Sequence, residues 1–240
     1  MDTLHLPSPK PRMIAHRGLS GIEKENTCSA FVAAGNRSYF GIETDVHRTR
    51  DGRFVIIHDD DTLRVSGQKM IVEETDFSTL RALRLLDRDG KPGRADLVIP
   101  TLAEYIGVCR KYEKTAVLEL KNHFEPADVE RIIGIVREEG WLENTIFISF
   151  DLPNMICVRR LLPRQKAQYL IEDRIPEDLV DTLKRYRLDL DIEHGLLTKD
   201  LADACHGAGS EINVWTVNAP EDAARVIALG ADYITSNILE

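Results

Sequence analysis

Two segments stand out because carboxylates break otherwise apolar runs: GIETDV, with Glu43 and Asp45, and AVLELK, with Glu119 and Lys121. Residues two apart on a strand project from the same face, so each pair reads as one-sided. A carboxylate set that deep costs free energy unless positive charge balances it. Brought together, Glu43, Asp45 and Glu119 make the oxygen-rich site that Mg2+ or Ca2+ accepts. Ion pairs with arginines are the plainer alternative. Titratable and basic groups end other apolar runs: His16 and Arg17 follow MIA, and His58 closes FVIIH. A strand end can simply surface into solvent, so a lone His-Arg-Gly decides nothing. It gains meaning only if the other polar strand ends converge with it.

The pattern of elements supplies that convergence. Short apolar, β-branched or aromatic runs recur at 13–16, 39–46, 54–58, 116–121, 145–149, 168–171, 188–192, 212–217 and 232–235. Helical patterns separate most of them, several opening on Pro, Thr or Asp and closing on Gly. Runs 39–46 and 54–58 are separated only by RTRDGR, which predicts a hairpin: one barrel strand with an antiparallel extension and a small insertion after it. Eight strands remain, in about the length of an α/β (β/α)8 TIM barrel. A doubly wound open sheet is the alternative, and the lack of a Gly-rich loop after the first strand counts against its dinucleotide-binding form.

Chemistry in such a barrel belongs at the carboxyl ends of the strands. There His16 and Arg17 end strand one, Glu43 and Asp45 strand two, His58 the returning hairpin arm, Glu119 and Lys121 strand three, and Trp215 lies near the end of strand seven. A two-residue type I′ loop at Asp51-Gly52 predicts His47 opposite Ile56 and Asp45 opposite His58. Directly opposed residues share a face, with Cβ atoms ~5 Å apart, which would set His58 beside a metal ligand. His47, farther along the hairpin, reads as structural or solvent-facing.

Composition narrows the class. With 240 residues and 43% hydrophobic content the chain is globular, and the absence of linkers, repeats and low-complexity segments predicts one domain over 1–240. The opening MDTLHLPSPKPR lacks a signal-peptide core and no apolar stretch has spanning length, so the expectation is a soluble, cytoplasmic protein without stable membrane insertion. Cys28, Cys109, Cys157 and Cys205 lie far apart without paired spacing, as reduced core thiols do. Acidic residues outnumber basic ones by 40 to 31, and no basic stripe is interleaved with aromatics, which argues against nucleic acid as a partner. An acidic protein acting on an anionic substrate needs a local reversal of potential, from a bound cation or from clustered Arg and Lys.

AHRGLSGIEKENTCSAFVAAG, GIETDVHRTRDGRFVIIHDD, IPTL, LELK, ISF and NVWTVN follow, in order and spacing, a pattern that resembles the glycerophosphodiester phosphodiesterase family over residues 13–235. The resemblance implies a (β/α)8 barrel, a divalent metal cation (Mg2+ or Ca2+), and hydrolysis of a small-molecule glycerophosphodiester to sn-glycerol 3-phosphate and an alcohol. It implies catalytic roles for His16 and His58, metal ligation by Glu43, Asp45 and Glu119, and phosphate contact by Arg17 and Lys121. Phosphodiester hydrolysis needs positive groups on the nonbridging oxygens, a base for the nucleophile and an acid for the leaving alkoxide, and two imidazoles with pKa of about 6.5 can divide the last two tasks. Trp215 reads as an apolar wall for the glycerol carbons or as core, and Glu25 and Asn26 as supports of the site, with helix capping the alternative for Asn26. His5, His123, His194 and His206 read as surface or helix-end residues. The sequence departs from the family pattern at Lys24, where Pro is usual, and in TSNILE, where Thr-Asp-x-Pro is common; both are expected to lie away from the acting residues. The rival functions are a related barrel phospholipase acting on a lipid phosphodiester, a Schiff-base aldolase using Lys121, and a phosphodiester-binding barrel without turnover.

Overall fold

The computed structural model describes residues 2–8 and 10–240. Its strands are β1 (Arg12–Ala15), β2 (Gly41–Arg48), β3 (Phe54–Ile56), β4 (Thr115–Leu120), β5 (Thr145–Ser149), β6 (Ala167–Ile171), β7 (Asp189–Glu193), β8 (Ile212–Trp215) and β9 (Tyr233–Ser236). Eight of them form a parallel ring in the order β1-β9-β8-β7-β6-β5-β4-β2, closed by β1 on β2, while β3 lies antiparallel on the end of β2. This is the (β/α)8 barrel the alternation predicts. The helices are α1 (Cys28–Gly35), α2 (Leu63–Ser66), α3 (Phe77–Ala82), α4 (Leu102–Lys111), α5 (Pro126–Glu138), α6 (Leu152–Leu161), α7 (Leu179–Tyr186), α8 (Lys199–Gly207) and α9 (Pro220–Leu229).

Local chemistry sets the element ends. Thr101 and Glu104 form a reciprocal capping box that satisfies two free N–H groups at the start of α4. Pro220 opens α9, and Gly230 closes it in the left-handed conformation that a β-carbon disfavours. Strands buried on both faces divide the core in two. Phe31, Tyr105, Ile132 and Val226 belong to the large outer layer between ring and helices, and Ile14, Val117, Ile146, Ile148, Leu170 and Tyr233 fill the barrel interior. A further cluster, including Val55, Val72, Leu80, Leu85 and Leu97, anchors the insertion that carries α2 and α3.

The hairpin differs from expectation by one residue. The observed pairs are Val46 with Ile56, His47 with Val55 and Arg48 with Phe54, so the loop is the three-residue Arg50-Asp51-Gly52. Gly52 N–H donates to the Thr49 carbonyl at 2.9 Å, and of the loop residues only Gly52 has a positive φ, at 74°. A type I turn followed by a left-handed glycine is the alternative to the type I′ turn for this chemistry. Asp51 fixes the choice by accepting the Thr49 hydroxyl at 2.6 Å and the Phe77 N–H at 2.9 Å. Asp45 therefore pairs with Ile57, whose N–H reaches its carbonyl at 3.1 Å, and not with His58. His47 is fully buried rather than solvent-facing, and its Nε2–H donates to the His58 carbonyl at 3.2 Å.

Candidate active site

The carboxyl ends of the ring strands surround a cavity of about 630 Å3 whose wall includes His16, Arg17, Glu43, His58, Glu119 and Lys121. Trp215 also lines it. Asp45 is not in the wall, yet a carboxylate oxygen from each of Glu43, Asp45 and Glu119 lies within 4.8 Å of the others. Sheet register explains the trio: β2 and β4 are neighbours with Asp45 level with Glu119, and Glu43 lies two residues back on the same face. All eight residues singled out in the sequence thus reach one mouth.

The turn after β1 places the basic arm. Arg17 has φ of 53°, an αL conformation that costs a non-glycine residue roughly 1–3 kcal/mol and persists only where the surroundings enforce it. Here its N–H donates to Glu43 Oε2 at 2.7 Å, its Nη1 to Glu25 Oε1 at 3.0 Å, and its Nε lies 3.6 Å from Asp45 Oδ2. Gly18 follows at φ of 74°, where a β-carbon would come within 2.7 Å of Ala30, so the third residue of the His-Arg-Gly motif is fixed by helix packing. Lys121 Nζ lies 2.9 Å from Glu119 Oε1 and 3.5 Å from Asp45 Oδ1. Asn26 caps nothing: its amide donates to Asp45 Oδ2 at 2.7 Å while accepting the Thr44 hydroxyl, and Thr27 is the cap of α1.

Both histidines are held by Nδ1. His16 Nδ1–H donates to Asn237 Oδ1 at 2.7 Å, and His58 Nδ1–H to Asp59 Oδ1 at 2.7 Å. Asp59 is gripped by Arg64 from α2, at 2.7 and 2.9 Å, and the same guanidinium grips Glu25 at 2.6 and 2.8 Å. Glu25 in turn holds Arg17, so an ionic chain runs from one imidazole to the basic arm on the other side. Asn237, Asp59 and Arg64 were not expected from the sequence. Asp59 was visible as the neighbour of His58, but Arg64 and Asn237 sit in segments with no periodic signal. Asn237 also corrects one expectation: the TSNILE departure does touch the proposed machinery, because the chain end returns to β1 and meets His16 there.

Burial and crowding set the electrostatics. Burial, then the neighbouring Asp45 and Glu119 charges, push the Glu43 carboxyl well up. Burial and Asp45 raise Glu119 to about 8. Asp45 feels the same burial, but Lys121 and Arg17 outweigh it and hold it low. His16 is lowered to about 4 by burial and by Arg17, and His58 is lowered by burial, against the pull of Asp45. Three buried carboxyls thus face two fixed cations, and Asp45 Oδ1 is buried without a hydrogen bond. An all-oxygen donor set with surplus negative charge fits a hard divalent cation.

An aromatic wall completes the cavity. Trp215 meets Phe150 edge-on, with centroids 5.7 Å apart at 86°, and Phe150 is partly exposed at the mouth. The remaining histidines lie elsewhere: His123 pairs with Asp151, His194 with Arg225 and His206 with Asp232, while His5 is exposed beside Glu240. The four cysteines are free, and among the described residues no helix is long and apolar enough to cross a membrane.

Comparison with known proteins finds matches over nearly the whole chain. Residues 16–239 match the family model of the glycerophosphoryl diester phosphodiesterases. The chain is 31% identical over 232 residues to a glycerophosphodiester phosphodiesterase of Caldanaerobacter subterraneus subsp. tengcongensis, covering 95% of this chain and 94% of that protein. A phosphodiesterase of Oleispira antarctica, solved with its product sn-glycerol-3-phosphate, superposes with a TM-score of 0.87 at 26% identity, over 95% of this chain and 94% of that one. A glycerophosphodiester phosphodiesterase of Thermotoga maritima superposes with a TM-score of 0.77 at 26% identity, over 96% of each chain.

Proposed function

This chain belongs to the glycerophosphoryl diester phosphodiesterase family and is a phosphoric diester hydrolase, and from that premise we propose that it cleaves glycerophosphodiesters to sn-glycerol 3-phosphate and an alcohol by paired-histidine acid and base catalysis. The supporting observation is that His16 and His58, each anchored through Nδ1, share one cavity with Arg17, Lys121, Glu43 and Glu119, with Asp45 clustered behind the two glutamates. A phosphodiester anion repels nucleophiles, so cleavage requires its charge to be neutralised by groups already in place. Arg17 and Lys121 supply fixed positive charge. A divalent cation, Mg2+ or Ca2+, held by Glu43, Asp45 and Glu119 would add Lewis-acid charge stabilisation.

With Nδ1–H committed to Asn237 or Asp59, Nε2 is the atom on each ring left to take or give a proton. One imidazole removes a proton from the attacking hydroxyl and the other protonates the leaving alkoxide. Trp215 and Phe150 offer apolar surface to the carbon skeleton. The test is a product assay on a panel of glycerophosphodiesters with and without EDTA. Release of sn-glycerol 3-phosphate, abolished by chelation and restored by Mg2+ or Ca2+, is expected. Turnover in excess EDTA sinks the metal assignment, and hydrolysis confined to lipid diesters sinks the substrate assignment.

A further inference from the structure

Among the wall side chains that mechanism leaves unused, one is buried with an unpartnered polar atom. Asp191, on β7, lines the cavity but is only 2% exposed, and its Oδ1 has no hydrogen-bond partner. In the ring, β7 stands four strands from β2 in either direction, so Asp191 faces the carboxylate trio across the barrel. Of its neighbours, the Asn213 amide stands close enough to pull the carboxyl down against burial, but its hydrogen bonds go elsewhere: it donates to Gln168 Oε1 at 3.3 Å and accepts the Thr235 hydroxyl at 3.1 Å. Two residues beyond Asn213 on the same face of β8, Trp215 Nε1–H is likewise buried without a partner and its ring lines the same cavity. Two unpartnered polar atoms in one wall are costly unless a ligand meets them.

We propose that Asp191, with the Trp215 Nε1–H, forms a subsite for the free hydroxyls of the substrate's polyol, and that this subsite selects diesters with an unacylated glycerol. The inference rests on the glycerophosphodiester reading above and assigns a residue to its specificity. Burial raises the Asp191 carboxyl to about 8 against the weaker opposing pull of the Asn213 amide, and no basic side chain adds to that pull, so near neutral pH it is mainly a neutral group that donates one hydrogen bond and accepts others. A hydroxyl does the same, and the two match reciprocally. An ester in place of that hydroxyl has no proton to give and brings an acyl chain into a wall of packed strands. Sites built to bond a hydroxyl reject analogues that lack it far more strongly than apolar pockets reject a size change.

The test is calorimetric binding of sn-glycerol 3-phosphate and of propyl phosphate, which has the same length without hydroxyls, to the full chain in the presence of Mg2+. Wild type is expected to prefer glycerol 3-phosphate by roughly tenfold or more. Asp191→Leu should erase most of that preference through the polyol ligand alone, Asp191→Asn should keep much of it because a carboxamide also donates and accepts, and Trp215→Phe should lose part. Asp191→Ala makes the same deletion without apolar bulk if the leucine variant does not fold. No preference in wild type, or full preference in a folded Asp191→Leu or Asp191→Ala protein, overturns the subsite. Because binding is read without turnover, preference in a protein that hydrolyses no glycerophosphodiester would keep the subsite and remove the activity, whereas turnover without preference would remove the subsite alone.

Discussion

At the scale of single residues, the two imidazoles differ in what holds them. His16 leans on a neutral amide and has Arg17 as its chain neighbour, while His58 leans on the Asp59 carboxylate. On the proposed mechanism either loss removes a proton carrier, and general acid–base catalysis is worth roughly two to four decades in rate. His16→Ala and His58→Ala are therefore expected to lower kcat at least about a hundredfold. Circular dichroism and melting should stay close to wild type. Wild-type turnover in either folded variant would end that residue's catalytic role.

At the scale of elements, the short helix α2 acts on a site it does not itself line. Its Arg64 joins Asp59, behind His58, to Glu25, behind Arg17, with four contacts between 2.6 and 2.9 Å. Burial alone would raise the Glu25 carboxyl, but Arg64 and Arg17 bring it down to about 2, so the chain of charges is fully ionised near neutral pH. Arg64→Ala is expected to cut kcat roughly tenfold, because a slight misplacement of a proton carrier is costly. Arg64→Lys, which cannot bind two carboxylates bidentately, should rescue little of it. A positioning role also predicts that Arg64→Ala moves the kcat pH profile through His58, which a purely structural contact would not do. An unchanged profile and rate would show the clamp to be ornamental to catalysis.

At the scale of the molecule, the barrel stores unlike charges in a small volume, and stability should report it. Glu119 is raised to about 8 when folded and has the ordinary carboxylate value near 4.5 when unfolded. The folded state therefore holds a proton that the unfolded chain has released. That contribution is fully present below the unfolded value and is lost as pH rises through about 4.5 to 8. His16 works the other way at lower pH: lowered to about 4 in the fold, it must be neutral there, and stability is lost as pH falls from about 6.5 to 4. A cation bound by the trio as proposed would replace the retained proton, so the Tm gained on adding Mg2+ or Ca2+ is expected to grow as pH rises over the carboxylate window. Scanning calorimetry at several pH values checks this, and a gain that is absent or flat with pH would detach the metal from Glu43, Asp45 and Glu119.

Alternation of apolar runs, their spacing, and paired polar residues at strand ends are local properties, and the sequence alone determined the barrel and the eight residues at its mouth from them. Glu43 with Asp45 and Glu119 with Lys121 were legible because period-two geometry is a property of each strand by itself. The hairpin register was not: Asp-Gly fits more than one turn, and the choice fell to Asp51 contacts that include the backbone of Phe77 in the insertion. Position of His58 then came from packing, with its carbonyl on buried His47 and its ring on Asp59. Asn237 behind His16, Arg64 between Asp59 and Glu25, and Asp191 across from the trio join residues far apart in the chain. Such pairings follow from ring closure, which fixes which strands face each other, and no spacing within a single segment encodes that.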